Sequence, residues 1–388
     1  MSSHILFSSI NELLDPAFLS EAAGAEVRTV HSQLLTGGFA HSGSELRLVE
    51  CELGSAHSGG VLTAATSRFV LKRLNRETDW LMRVTDDDEC RSVTLWSEGI
   101  LDRMPAILEP AVIACARDEG GWAILMRDLG EYFVTDRLFT QEQGARFLEG
   151  MAAMHATFFE DPAVANVLPS PGGQLTPDEG FVSGGPLGLS EIRHVYEMFA
   201  PRTARRRDAG TAEILERIVE GWQMVRELCP ADVVDTVEPL LEDPSPLVNA
   251  LNQYPKNLIH GDFRHSNLAA LPDGRVGLVD WQLAAAAPPS VELGRYIGAN
   301  SPFLIRPPEE ILETYRAALE RRLGDRFSEE WWVPQLELGM FGGFVQDGWA
   351  IALKATNWHV GAPYREHWKA SLPWWVEQVR KGRRRLEG

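Results

Sequence analysis

The chain has 388 residues, of which 44% are hydrophobic and 24% charged, and a formal net charge of −18. That length exceeds one small core and suits two lobes. The acidic balance argues against general nucleic-acid binding, which needs a positive surface, and no apolar run approaches the ~20 residues of a membrane span.

The N-terminus has no basic residue before its apolar stretch and is a poor secretory signal. Asp15-Pro16 and Gly24 bracket a short capped helix. Val27 to Leu35 reads as a strand broken at Thr36-Gly37-Gly38, and Glu45 to Leu53 alternates with period two, as a half-buried strand should. A Gly/Ser-rich turn from Gly54 to Gly60 precedes a strand from Arg68 to Leu74, with Lys72 near its end. Glu89 to Arg103 shows the broad apolar face of a helix, and Pro105 ends it. Ala111 to Ala116 and Trp122 to Met126 are two strands joined by a turn at Asp118.

From about residue 140 the texture turns helical, over Gln141 to Phe159, Ser190 to Ala200, Ala209 to Cys229 and Ala231 to Leu241. Asp161 to Gly188, rich in Pro and Gly, reads as an irregular surface insertion. A Trp-rich helical tail ends in a basic cluster, Arg380 to Arg385, expected to be solvated. Cys51, Cys90, Cys115 and Cys229 lie far apart and fit free thiols of a reducing cytoplasm.

The most informative segment is His260-Gly261-Asp262-Phe263-Arg264-His265-Ser266-Asn267, followed by an apolar strand ending at Asp280. His-x-Asp with an Asn five positions after the Asp is the spacing of a kinase catalytic loop. Asp262 suits the positioning of a hydroxyl, because a carboxylate accepts its proton late in the reaction. Asn267 and Asp280 supply the hard oxygen donors that magnesium prefers. Taken singly, Asp262, Asn267 and Asp273 are also ordinary turn formers, and His260 at a strand end is more often structural than a metal ligand. The spacing of His260, Asp262 and His265 matches no two-histidine zinc signature.

His260-Gly261-Asp262 with Asn267, then Val279-Asp280-Trp281, resembles the aminoglycoside phosphotransferase and choline kinase group of the protein-kinase-like fold. Leu125-Met126-Arg127-Asp128-Leu129-Gly130 resembles that group's hinge between lobes, and the helix around Met151 to His155 its next segment. The resemblance implies an α+β, bilobal fold, with a small β-rich N-terminal lobe over residues 1–128 and a larger helical lobe over 129–388. It implies a phosphotransferase that uses ATP and Mg2+ on a small-molecule hydroxyl, with Asp262 as base and Asn267 and Asp280 on the metal. Lys72 would contact the nucleotide phosphates, with Glu89 as its helix carboxylate partner. Met126, Asp128 and Leu129 would flank the adenine. Gly37, Gly38, Ser42 and Gly43 would form the phosphate loop, although a plain hairpin turn fits that segment equally. The downstream Asp that braces the catalytic loop in this group corresponds here to Glu292.

In this group the acceptor site lies between the catalytic loop and the C-terminal helices. Here those helices carry Trp331, Trp332, Trp349, Trp358, Trp368, Trp374 and Trp375. Such rings stack sugars or cage ammonium ions, but more often they pack cores. Asp347-Gly348-Trp349 and Asn357-Trp358-His359 are the rim candidates. No Ala-Pro-Glu block follows Asp280, which disfavours a protein kinase. A nucleotide- or partner-binding pseudokinase is the alternative to a small-molecule kinase.

Overall fold

The period-two segments become a five-stranded antiparallel sheet in the structure, a computed structural model that describes residues 4–39, 42–54, 66–134, 137–165, 187–205 and 212–388. Its strands are β1 (Val27–Phe39), β2 (Glu45–Leu53) and β3 (Thr66–Leu74). After a two-residue β4 (Leu108–Glu109) come β5 (Val112–Asp118) and β6 (Gly121–Arg127), in the sheet order β1-β2-β3-β6-β5. β3 is central, with Lys72 opposite Leu46 of β2 and Ile124 of β6. The pleat sends Phe69 and Leu71 into the core, at 3% and 1% exposure, and puts Lys72 on the other face with Val70.

Two expectations for this region need correction. Thr36-Gly37-Gly38 does not end β1, which runs on to Phe39 after a register shift beyond Leu34. The expected helix from Glu89 to Arg103 is shorter, Arg91–Ser97, and a separate 3-10 turn follows at Leu101–Arg103. Gly99, at φ +69, interrupts it by leaving the right-handed region. A further helix, Trp80–Val84, is capped by Asp79, whose carboxylate accepts from Met82 N at 3.1 Å. It was missed because five residues are too few to show a period.

The remainder is mostly helical. Gln141–Thr157 starts at a Thr140–Gln143 capping box and packs on Pro308–Leu323. The 28-residue helix Glu329–Thr356 is buried almost all round, because Ala212–Leu228, Pro289–Asn300 and Arg365–Glu387 surround it. It crosses Pro289–Asn300 at Gly294 and Gly343, where a Cβ on either would strike the other helix's backbone.

Four further short strands lie in the C-terminal region: β7 (Asn257–Ile259), β8 (Leu268–Ala270), β9 (Val276–Leu278) and β10 (Ala285–Ala287). β7 pairs with β10, while β9 lies between β4 and β8. The fold is therefore α+β, with an N-terminal antiparallel sheet and a helical C-terminal region. The basic terminus is helical and ion-paired, with Arg380 on Asp232 at 2.8 Å and Arg385 on Glu337. All four cysteines are buried and free. Among the described residues, no helix is long and apolar enough to cross a membrane.

Candidate active site

Residues 260–267 leave β7 through a turn that only glycine permits. Gly261 has φ +79, and a Cβ there would collide with the carbonyl oxygen of Leu283. One buried carboxylate fixes this turn. Glu292, fully buried on helix Pro289–Asn300, accepts from the backbone amides of Gly261 at 2.7 Å and His260 at 2.9 Å. Its remaining partner is His155 Nε2 at 3.0 Å, whose other ring nitrogen bonds the Tyr315 hydroxyl.

His260 has a structural task. Its Nδ1 accepts from the amide of Asp262 at 3.2 Å, so its Nε2 carries the proton given to the Val279 carbonyl at 3.0 Å. A neutral imidazole thus ties the loop to the residue before Asp280. The ends of the two apolar segments converge without β7 and β9 pairing with each other.

Asp262 is 7% exposed and accepts four donors. Arg295 Nε and Nη2 reach its Oδ1 at 3.0 and 2.7 Å, while Arg264 Nε and Asn267 Nδ2 reach its Oδ2 at 3.0 and 2.9 Å. Burial opposes ionisation, but Arg264 and Arg295 outweigh it and hold the carboxyl well below its usual range. Arg295 also pairs with Asp347 on helix Glu329–Thr356. Asp347 itself is pushed up by burial, partly offset by Arg295 and Lys354.

Lys72 Nζ donates to Asp280 Oδ1 at 2.8 Å and to Gln282 Oε1 at 2.6 Å. Asp280 has the left-handed φ of +70, an unusual backbone for a non-glycine. Asn267 spends its amide nitrogen on Asp262, leaving its carbonyl oxygen as a donor for a cation. Lys72, Asp262, Asn267 and Asp280 line one cleft of about 570 Å³. Leu46, Leu48 and Val70 line it from the sheet, with Met126, Leu129 and Phe133 along the connection between sheet and helices. The residues that follow β6 supply polar edges, where Asp128 accepts from Gly130 N at 2.9 Å and pairs with Arg68 at 3.4 Å.

The profile of the phosphotransferase enzyme family (APH) matches residues 61–332, more than half the chain. The chain belongs to that phosphotransferase family. It is similar to a solved spectinomycin phosphotransferase, APH(9)-Ia, in complex with ADP and spectinomycin, at 13% identity over 94% of this chain and 97% of that one, TM-score 0.43. It is also similar to APH(3'')-Id from Streptomyces rimosus in complex with ADP and streptomycin, at 14% identity over 85% and 97%, TM-score 0.44. The choline kinase LicA from Streptococcus pneumoniae matches at 14% identity over 96% and 98%, TM-score 0.40. Comparison with curated protein sequences gives no match.

In this phosphotransferase the cleft gathers Asp262, Lys72, Ser42, Met126, Asp128, Leu129, Asn267 and Asp280. Ser42 Oγ contacts Ser44 Oγ at 3.1 Å, and Gly43 packs against the backbone of Thr78. Gly37 and Gly38 lie on β1, while Ala40 and His41 of the expected phosphate loop fall outside the described residues. Glu89 is exposed and does not pair with Lys72, whose ammonium is held by Asp280 and Gln282. The reason is local: Glu89 precedes the start of helix Arg91–Ser97 and faces solvent.

Gln282, Asp79, Arg295 and Lys354 escaped the sequence reading. Gln282, two positions past Asp280, was within reach of it; the others have partners too distant in sequence. The rim candidates divide: Asp347 is buried on Arg295, Asn357 bonds Glu220 at 2.7 Å, and Trp358 stacks on Lys354. Trp332, Trp349, Trp368 and Trp375 are buried core residues.

Proposed function

We propose that this phosphotransferase moves the γ-phosphoryl group of ATP onto a hydroxyl of a small molecule, with Asp262 positioning that hydroxyl and taking its proton. The convergence of Lys72, Asp262, Asn267 and Asp280 on one cleft carries the reading. The apolar residues of β2 and β3 suit an adenine ring, and backbone groups near Asp128 suit its polar edge. Residues 1–128 would then act as the nucleotide lobe and 129–388 as the catalytic and acceptor lobe. Buried free thiols and ATP use both fit the cytoplasm.

Phosphoryl transfer asks mainly for positioning and charge stabilisation. Lys72 reaches the phosphates as a point charge once it leaves Asp280. Asn267 and Asp280 would hold magnesium, which neutralises phosphate charge; a sparse protein donor set suits an ion that keeps waters and phosphate oxygens. The acceptor oxygen bonds to phosphorus as the bond from phosphorus to the ADP oxygen breaks. The hydroxyl proton passes to Asp262 and then to solvent. Asp262 is a weak base, so this proton moves late. Arg264, whose side chain is 32% exposed, is the donor an incoming hydroxyl displaces from Asp262.

Magnesium-dependent ATP consumption against a panel of amino alcohols, sugars and aminoglycosides, with mass analysis of products, tests the reading. Asp262→Ala should slow transfer by roughly 10²-fold or more; unchanged turnover sinks the assignment. A second reading, a nucleotide-binding module without transfer, is favoured by the four donors already on Asp262. Tight ATP binding with no phosphorylated product from any acceptor would select it.

A further inference from the structure

The acceptor side of Asp262 carries cations. Arg264 and Arg295 both bond Asp262, and Arg295 spans to Asp347. Asp347 sits on the same helix face as Lys354, seven residues and about two turns away, on the order of 10 Å of axial rise. Lys354 differs from the two arginines. It is half-buried, and among the described residues no carboxylate lies within ion-pair distance of it. Its ammonium rests on two indoles instead, 4.5 Å from the Trp368 centroid and 5.9 Å from that of Trp358.

Two consequences follow for the acceptor. The rings that would cage a ligand's ammonium already hold this chain's own lysine. The nearby carboxylate is out of a ligand's reach, since one oxygen of Asp347 is on Arg295 and the other, though without a hydrogen-bond partner, is buried beside Gly298. Arg264 lines the cleft, and Lys354 lies beside it within electrostatic reach of Arg264 and Asp347; Asp128 and Glu131 line the cleft too, but where the chain leaves β6. An ammonium-bearing acceptor would thus meet Arg264 and Lys354 with no accessible carboxylate beside them, a like-charge encounter. A partly desolvated ammonium without a counter-ion favours an anion.

We propose that the acceptor is a hydroxylated anion, whose carboxylate or phosphate pairs with Lys354 while its hydroxyl faces Asp262. This rests on the phosphotransfer reading for the role of the hydroxyl, but the charge preference is open to equilibrium measurement on its own. The Lys354 ammonium, lowered to about 8 by burial against the pull of Asp347, remains charged near neutral pH.

The test is calorimetric binding to the full chain loaded with ADP and magnesium. The ligands are four sugars on one scaffold: glucosamine, glucose, glucuronate and glucose 6-phosphate. The two anions should bind about tenfold or more tighter than glucose, with glucosamine weakest. Lys354→Met should reduce that advantage to about threefold or less, and Lys354→Arg should keep it. The carboxylate and phosphate arms show which anion fits better. Tightest binding by glucosamine, no difference among the four, or a ratio unmoved by Lys354→Met overturns the proposal. Should Lys354→Met fail to fold, the wild-type ranking and Lys354→Arg still decide. Failure of the transfer reading appears separately, as ATP turnover unaffected by Asp262→Ala.

Discussion

The ammonium of Lys72 donates to the side-chain oxygen of Gln282 at 2.6 Å. The glutamine is held in that orientation, because its amide nitrogen donates to Asp79 at 3.0 Å. Asp79 is fully buried and also accepts from Ser44 and from the amide of Met82. This amide relay stands where a pairing of Lys72 with the helix carboxylate Glu89 was expected. Gln282→Leu removes a charge-assisted bond worth about 1.5–3 kcal/mol. Without that relay Lys72 is aimed less firmly at the phosphates, and KM for ATP is expected to rise roughly tenfold, with a smaller change in kcat. Steady-state kinetics at varied ATP checks this; an unchanged KM would make Gln282 merely structural.

Glu292 offers a second measurable dependence. Its carboxylate accepts two backbone amides of the turn at Gly261 and one imidazole, with no exposure to water. Glu292→Gln keeps the shape but aims an amide N–H where only donors arrive. Leaving buried donors unsatisfied costs about 1–3 kcal/mol each, so urea unfolding should show a loss of about 3 kcal/mol. Phosphoryl transfer should fall with it, because the turn carrying Asp262 loses its brace. Wild-type stability in this variant would show that the brace is dispensable.

The strands Glu45 to Leu53 and Arg68 to Leu74 were legible because strand composition, and in the first period-two alternation, is a local signal that packing did not override; the sheet order, set by pairing between distant segments, was not. The convergence of Asp262, Asn267 and Asp280 on one cleft was legible for a similarly local reason: their spacing within 19 residues is itself the motif. Gly261 was visible as a motif letter, and the structure supplies its cause, the Leu283 carbonyl behind it. The lysine partner was not legible. Glu89 looked suitable on a 15-residue helix that in fact begins only at Arg91, after the left-handed Cys90. The basic tail is largely exposed, as expected, but its ion pairs were not legible, since Asp232 and Glu337, which pair Arg380 and Arg385, are far away in sequence.

Arg295 lies between two buried carboxylates, Asp262 and Asp347. Burial opposes its charge, but Asp347 and Asp262 more than compensate and raise its pKa. Arg295→Met leaves both carboxylates without their shared cation, a loss of about 3–5 kcal/mol in stability. Pairing it with Asp347→Leu removes one of the stranded charges and should recover part of that loss. A double-mutant cycle by urea unfolding measures the coupling. Additive losses would mean that the two residues do not act as a pair.

The Lys354 ammonium gives the site a pH dependence of definite sign. Burial lowers it from its ordinary value to about 8, Asp347 opposes that shift, and Arg295 and Arg264 add to it. Below pH 8 the ammonium is charged in both folded and unfolded chains, so its desolvation cost is fully present. Between about 8 and the ordinary lysine value the unfolded chain binds more protons, so this group's contribution to stability improves as pH rises. Recognition of an anionic acceptor moves the other way, because the charge that binds it is lost. For glucuronate or glucose 6-phosphate, affinity is expected to fall as pH passes through about 8, while glucose is unaffected. Lys354→Arg, which stays protonated, should abolish that fall. Calorimetric titrations from pH 6.5 to 9.5 compare the two proteins; a parallel decline in both would assign the pH dependence to another group.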